Sequence, residues 1–78
     1  MKTIKRITER ALYGSQPFII EKMLEDETSL YQYRHYNEVI TIFAVEQTNK
    51  GVYITTQIAR KGIKIFLSNK EIDIEYED

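Results

Sequence analysis

Apolar and acidic residues alternate along the last eight positions of the chain, Glu71-Ile72-Asp73-Ile74-Glu75-Tyr76-Glu77-Asp78. Strand side chains point to opposite faces with a period of two. As a strand, this segment directs Ile72, Ile74 and Tyr76 into a core. It shows solvent a row of carboxylates, Glu71, Asp73, Glu75 and Glu77, spaced about 6.6–6.8 Å apart. Upstream, Glu38 to Glu46 reads as a strand that is apolar on both faces, with Val39, Thr41, Phe43 and Val45 on one side and Ile40, Ile42 and Ala44 on the other. Such a pattern predicts a central strand covered on both sides. Gln47-Thr48-Asn49-Lys50-Gly51 reads as a hairpin loop, with Asn and Gly able to take positive φ. Val52 to Ala59 is the return strand, Arg60-Lys61-Gly62 a second turn, Ile63 to Ser68 a third strand, and Asn69-Lys70 the turn into the acidic strand.

The first half of the chain carries a different spacing. Ile4, Ile7 and Ala11 share one face of a helix over residues 3–13, with Leu12 beside them, Thr3 as N-cap and Gly14 after its end. As a strand, Ile4 and Ile7 would face opposite ways. Residues 17–27 admit two readings. A helix has Pro17 in its first turn, although Glu25, Asp26 and Glu27 then sit unfavourably at its C-terminus. A strand would put Phe18, Ile20, Lys22 and Leu24 on one face. Leu30 to Tyr36 has high strand propensity from its three tyrosines.

The pattern therefore predicts an α+β domain spanning 1–78, with one or two short N-terminal helices packed on an antiparallel meander of four or five strands. The alternative is a small all-β barrel with one helix, in which residues 17–24 are extended.

Length changes this picture by limiting the core. A chain of 78 residues buries only about 60% of its unfolded surface, so association, disulfides or metals often add stability. The absence of Cys removes disulfides, cysteine-ligated zinc and cysteine nucleophiles, and a single His removes a His-rich metal site. A homodimer is the remaining expectation, with no cofactor and no metal. The longest apolar window, Val39 to Val45, is far shorter than the ~20 residues of a spanning helix. With no signal-peptide pattern either, the expectation is a soluble cytoplasmic protein.

Net charge is −1, but it is segmented. Residues 1–14 hold Lys2, Lys5, Arg6 and Arg10 against Glu9, for +3; residues 15–30 hold Lys22 against four acids, for −3. Residues 31–70 hold six bases against Glu38 and Glu46, for +4, and residues 71–78 hold five acids, for −5. This pattern fits either intramolecular complementarity or two separate working faces.

Two segments carry candidate binding chemistry. The acidic row Glu71, Asp73, Glu75 and Glu77 has the form of a phosphate row, as in DNA mimicry, and equally that of a protected sheet edge. Tyr31, Tyr33, Arg34 and Tyr36 combine the residue types that dominate binding hot spots. His35 lacks a placed partner for acid–base chemistry, and Gly14, Gly51 and Gly62 form no phosphate-binding loop. The expected function is that of a small non-enzymatic regulator or inhibitor that occupies a surface of a larger protein, such as one that handles nucleic acid, through its acidic and Tyr-rich faces. In size and character the chain resembles small phage or mobile-element (viral) proteins that block host enzymes. The alternative is a DNA- or RNA-binding regulator using Lys2, Lys5, Arg6, Arg10, Arg60, Lys61 and Lys64.

Overall fold

A computed structural model describes residues 3–10, 14–23, 30–58 and 61–77. The chain is all-β, and no helix is present among the described residues. Seven strands form one antiparallel sheet: β1 Thr3–Glu9, β2 Ile19–Lys22, β3 Tyr31–His35, β4 Glu38–Gln47, β5 Gly51–Ile58, β6 Lys61–Ser68 and β7 Ile72–Glu77. Their order is β6-β5-β4-β3-β2-β1-β7. Consecutive strands pair up to β6, and β7 then crosses to the free side of β1. The sheet curls into a half-barrel. Its two edges, β6 and β7, are neighbours in sequence, joined through a turn in which the Glu71 N–H donates to the Ser68 carbonyl at 2.9 Å.

The α+β expectation is overturned, and so is the one helix of the barrel alternative. Residues 3–9 are a strand paired with both β2 and β7, and the ladder to β7 breaks between Ile4 and Arg6. Ile4 pairs with Tyr76, Arg6 with Glu75 and Ile7 with Ile74, which leaves Lys5 as an extra residue. A bulge of this kind shifts the alternation by one. Ile4 and Ile7 therefore both point inward, at 6% and 0% exposure, despite their helix-like spacing. The rest of the expected helix, 11–13, lies outside the described residues. In the segment expected as a second helix, Ile19–Lys22 is extended between β1 and β3, with Ile20 opposite both Ile7 and Tyr33. Residues 24–27 lie outside the described residues.

A second bulge corrects the reading of β4. Ile42 pairs with Thr56 but Ala44 pairs with Thr55, so Phe43 is the extra residue. Ile42 and Val45 consequently share the concave face, while Phe43 is exposed. β4 is covered on one side only, since Val39 and Phe43 are 58% and 49% exposed. Lys61 and Gly62, expected in a turn, are already ladder residues of β6 opposite Ile58 and Gln57; Arg60 lies outside the described residues.

The core lies on the concave side. It consists of Ile4, Ile7, Ile20, Tyr31, Ile42, Val52, Ile54 and Ile72. β-Branched side chains dominate it, which suits the pleated surface. Tyr31 is buried because its hydroxyl finds a partner, donating to the Ile4 carbonyl at 2.6 Å across to β1. Burial holds its phenol above the usual tyrosine range, with the charge of Glu77 adding to the effect.

Candidate functional site

The core fills only part of the curled sheet. Beside it opens an apolar cleft of about 270 Å³. Its floor is Ile20, Ile42 and Ile54; Phe18 and Tyr33 form one wall, and Ile65 and Leu67 of edge strand β6 the other. Ile40 and Glu38 lie on the β4 side. The placement follows from strand parity. Tyr33 and Ile40 are cross-strand partners, as are Ile54 and Ile65, so each pair projects to the same concave face.

The chemistry of the cleft is that of apolar contact. Thr56 is buried within it, but its hydroxyl already donates to the Thr41 carbonyl at 3.1 Å. The Phe18 and Tyr33 rings are tilted against each other with centroids 5.4 Å apart. Burial, then the charges of Glu38 and Glu9, holds the Tyr33 phenol above its ordinary value, so it stays a neutral donor. Among the described residues, Glu38 supplies the one carboxylate of the lining. Ile63 and Ile65 on the concave side of β6 are 38% and 41% exposed, and Phe66 on its convex side is 43% exposed.

No family model, curated protein or solved structure matches the chain.

The acidic row is not a free face. Asp73 accepts from Arg10 at 2.9 Å. Glu75 lies 3.2 Å from Arg6 and 3.7 Å from Lys5, and Glu77 lies 3.4 Å from Lys22. Glu71 is exposed at the turn before β7. The strand order explains this: β7 is the neighbour of β1, so the −5 and +3 segments face each other across one ladder. The ladder continues inward. Arg6 binds Glu21 on β2 at 2.6 Å, and Glu21 also accepts from Arg34 on β3 at 3.0 Å. Arg34, expected beside the tyrosines as a partner contact, is thus tied into the charge ladder on the convex side.

The hydrogen bond from Arg6 holds the Glu21 carboxyl below the usual carboxylate range, outweighing the opposing effect of desolvation. The same contact raises the Arg6 guanidinium further above its ordinary value. A carboxyl whose value is lower folded than unfolded stabilises the fold above the unfolded value, and that contribution disappears as pH falls through the folded value. Glu21→Gln is therefore expected to lower the melting temperature by about 2–4 °C at pH 7, the small effect of surface pairs. The two proteins should converge as pH falls below the usual carboxylate range, through the lowered folded value of Glu21. Parallel melting curves at every pH would contradict the pairing.

The tyrosines of β3 share the concave face and divide along the length of the strand. Tyr31 is core and Tyr33 lines the cleft. Tyr36 stands at the β3–β4 turn, 65% exposed, with φ at 54° and its ring centroid 4.4 Å from that of His35. A left-handed φ is uncommon for a bulky residue. His35 Nε2 bonds the Gln16 carbonyl at 2.9 Å, tying this turn to the chain leading into β2. Among the described residues, no three acidic or His side chains gather to hold a metal ion, and no helix is long and apolar enough to cross a membrane.

Sequence reasoning missed the cleft and the apolar edge strand. The alternation Ile63, Ile65, Leu67 was visible, but it looks the same in an edge strand and an interior one. Only the crossing of β7 to β1 leaves β6 uncovered.

Proposed function

We propose that this chain is a small non-enzymatic protein-binding regulator or inhibitor of the cytoplasm, which takes an apolar segment of a larger partner into the concave cleft. The observation that carries the reading is the open cleft itself, apolar on its floor and both walls and flanked by the exposed Ile63 and Ile65. A surface of this kind on so small a chain marks a contact site. Tyr33 in the cleft and Tyr36 at the adjoining turn add the rigid aromatic contacts favoured in hot spots. The acidic strand has a supporting role: its carboxylates are neutralised by Lys5, Arg6, Arg10 and Lys22, which weakens its resemblance to a phosphate row. The same pairing weakens the nucleic-acid alternative, whose described N-terminal cations, Lys5, Arg6 and Arg10, are among those residues.

The test is affinity capture from a native lysate, divided into nuclease-treated and untreated halves and read by mass spectrometry. One stoichiometric protein retained in both halves is expected. Recovery that collapses with nuclease would transfer the function to nucleic-acid binding.

A further inference from the structure

The free edges of the sheet differ in a way that bears on self-association. Edge strand β6 leaves Ile63, Ile65 and Phe66 38%, 41% and 43% exposed, apolar side chains on both of its faces of the kind that an association covers.

A second copy has restricted ways to pair. Two identical strands joined antiparallel by a two-fold axis pair so that residue numbers sum to an even constant, which keeps the concave faces on one side. On β7 the convex positions are Asp73, Glu75 and Glu77. Every symmetric register there sets these carboxylates opposite one another, each already paired to a cation of its own copy, and offers no apolar contact on the convex face. On β6 the convex positions are Gly62, Lys64, Phe66 and Ser68, with one charge among them. Two registers engage nearly the whole strand. Centred on Lys64, the ladder sets two ammonium groups face to face. Centred on Ile65, it joins residues 62–68, sets Lys64 opposite Phe66, and brings Ile63 opposite Leu67 on the concave side. Phe66 is already a broad apolar platform, its ring 4.9 Å from that of Tyr53, and the stem of Lys64 can lie across it.

We propose that β6 pairs with β6 of a second copy as a two-fold antiparallel ladder centred on Ile65, which caps the apolar edge and joins the two concave clefts into one continuous face. This goes beyond the binding function above and stands without it. The free edge of β6 is a template for strand addition, and apart from Lys61 and Lys64 it lacks the charges that usually block such pairing.

Sedimentation velocity across a concentration series, together with two single-cysteine variants, tests this. The wild type is expected to approach twice 9.3 kDa as concentration rises. The chain has no cysteine, so any disulfide reports the introduced site. Ile65→Cys, at an exposed position, should form a covalent dimer with diamide as oxidant. Ile63→Cys should not, because its symmetry mate lies four residues along the ladder, about 13 Å away. Lys64→Gln should leave the dimer intact, since that position faces Phe66; the neutral side chain avoids setting a second carboxylate against Glu46, which Lys64 pairs at 3.2 Å within its own copy. A wild type that stays at 9.3 kDa throughout, or equal cross-linking at 63 and 65, would overturn the proposal. So would loss of association in a Lys64→Gln variant that circular dichroism shows to be folded, which would indicate β6 pairing with the acidic β7 of the next copy.

Discussion

Replacing Gly51 by alanine is expected to lower the melting temperature by about 10–20 °C. The residue is buried at the start of β5, directly opposite Ser68 of β6. A Cβ there would overlap the Leu67 carbonyl oxygen and crowd the Phe66 ring. The obstruction is backbone, so no rotamer change relieves it, and the two strands must move apart. The position is also held by its loop: the Thr48 N–H donates to the Gly51 carbonyl at 2.8 Å, and the Gly51 N–H donates to the Thr48 hydroxyl at 3.2 Å. Forcing β5 from β6 therefore strains the β4–β5 turn as well. Overpacking of this kind costs about 2–3 kcal/mol. Glycine is needed here for close approach, since its φ is not among the positive ones. A thermal melt by circular dichroism checks this, and an unchanged midpoint would mean that β5 and β6 do not approach as described.

The second large effect is expected at Ile20. It is fully buried at 0% exposure, between Ile7 and Tyr33. Truncation to alanine at such a position costs about 2–5 kcal/mol. A domain of this size has a total stability of only about 4–12 kcal/mol. Ile19, one residue earlier, belongs to the convex row with Arg34 and Thr8 and is half-buried. Ile19→Ala is expected to cost about 1 kcal/mol. Denaturant unfolding of the two variants separates strand from helix in this segment. Equal losses would contradict the alternation that places Ile20 inside and Ile19 outside.

The second half of the fold was legible because its signals are local. Residues 38–47, 51–58, 61–68 and 72–77 alternate or run apolar between recognisable turns. The N-terminal half was not, for an equally physical reason. Ile4 and Ile7 repeat with the spacing of a helix, and what brings both inward is a bulge at Lys5, set by the partner strand β7 at the far end of the chain. The bulge at Phe43 likewise depends on β5, and it changed which side of β4 is wet. Charge segmentation was legible as a pattern but not as a meaning. The convex ladder from Glu75 through Arg6 and Glu21 to Arg34 gives it one, namely strand-to-strand complementarity. Of the residues expected at a binding face, Tyr33 lines the cleft and Tyr36 stands exposed at a turn, whereas Tyr31 belongs to the core. The cleft drew its walls from five segments, and no spacing rule along one chain brings Phe18, Tyr33, Ile40, Ile54 and Ile65 together.

The central functional claim is that a partner is held by the cleft and not by the acidic strand. The direct measurement is quantitative affinity capture from one lysate with three baits beside the wild type. Two carry cleft substitutions, Ile40→Lys and Tyr33→Ser; the third carries Asp73→Asn, Glu75→Gln and Glu77→Gln together. Each bait is first shown by circular dichroism to be folded at the capture temperature. The account predicts that the partner is lost from both cleft baits, by about tenfold or more, and retained by the neutralised bait. Retention by both cleft baits with loss from the neutralised one would contradict it and return the binding face to the carboxylate row.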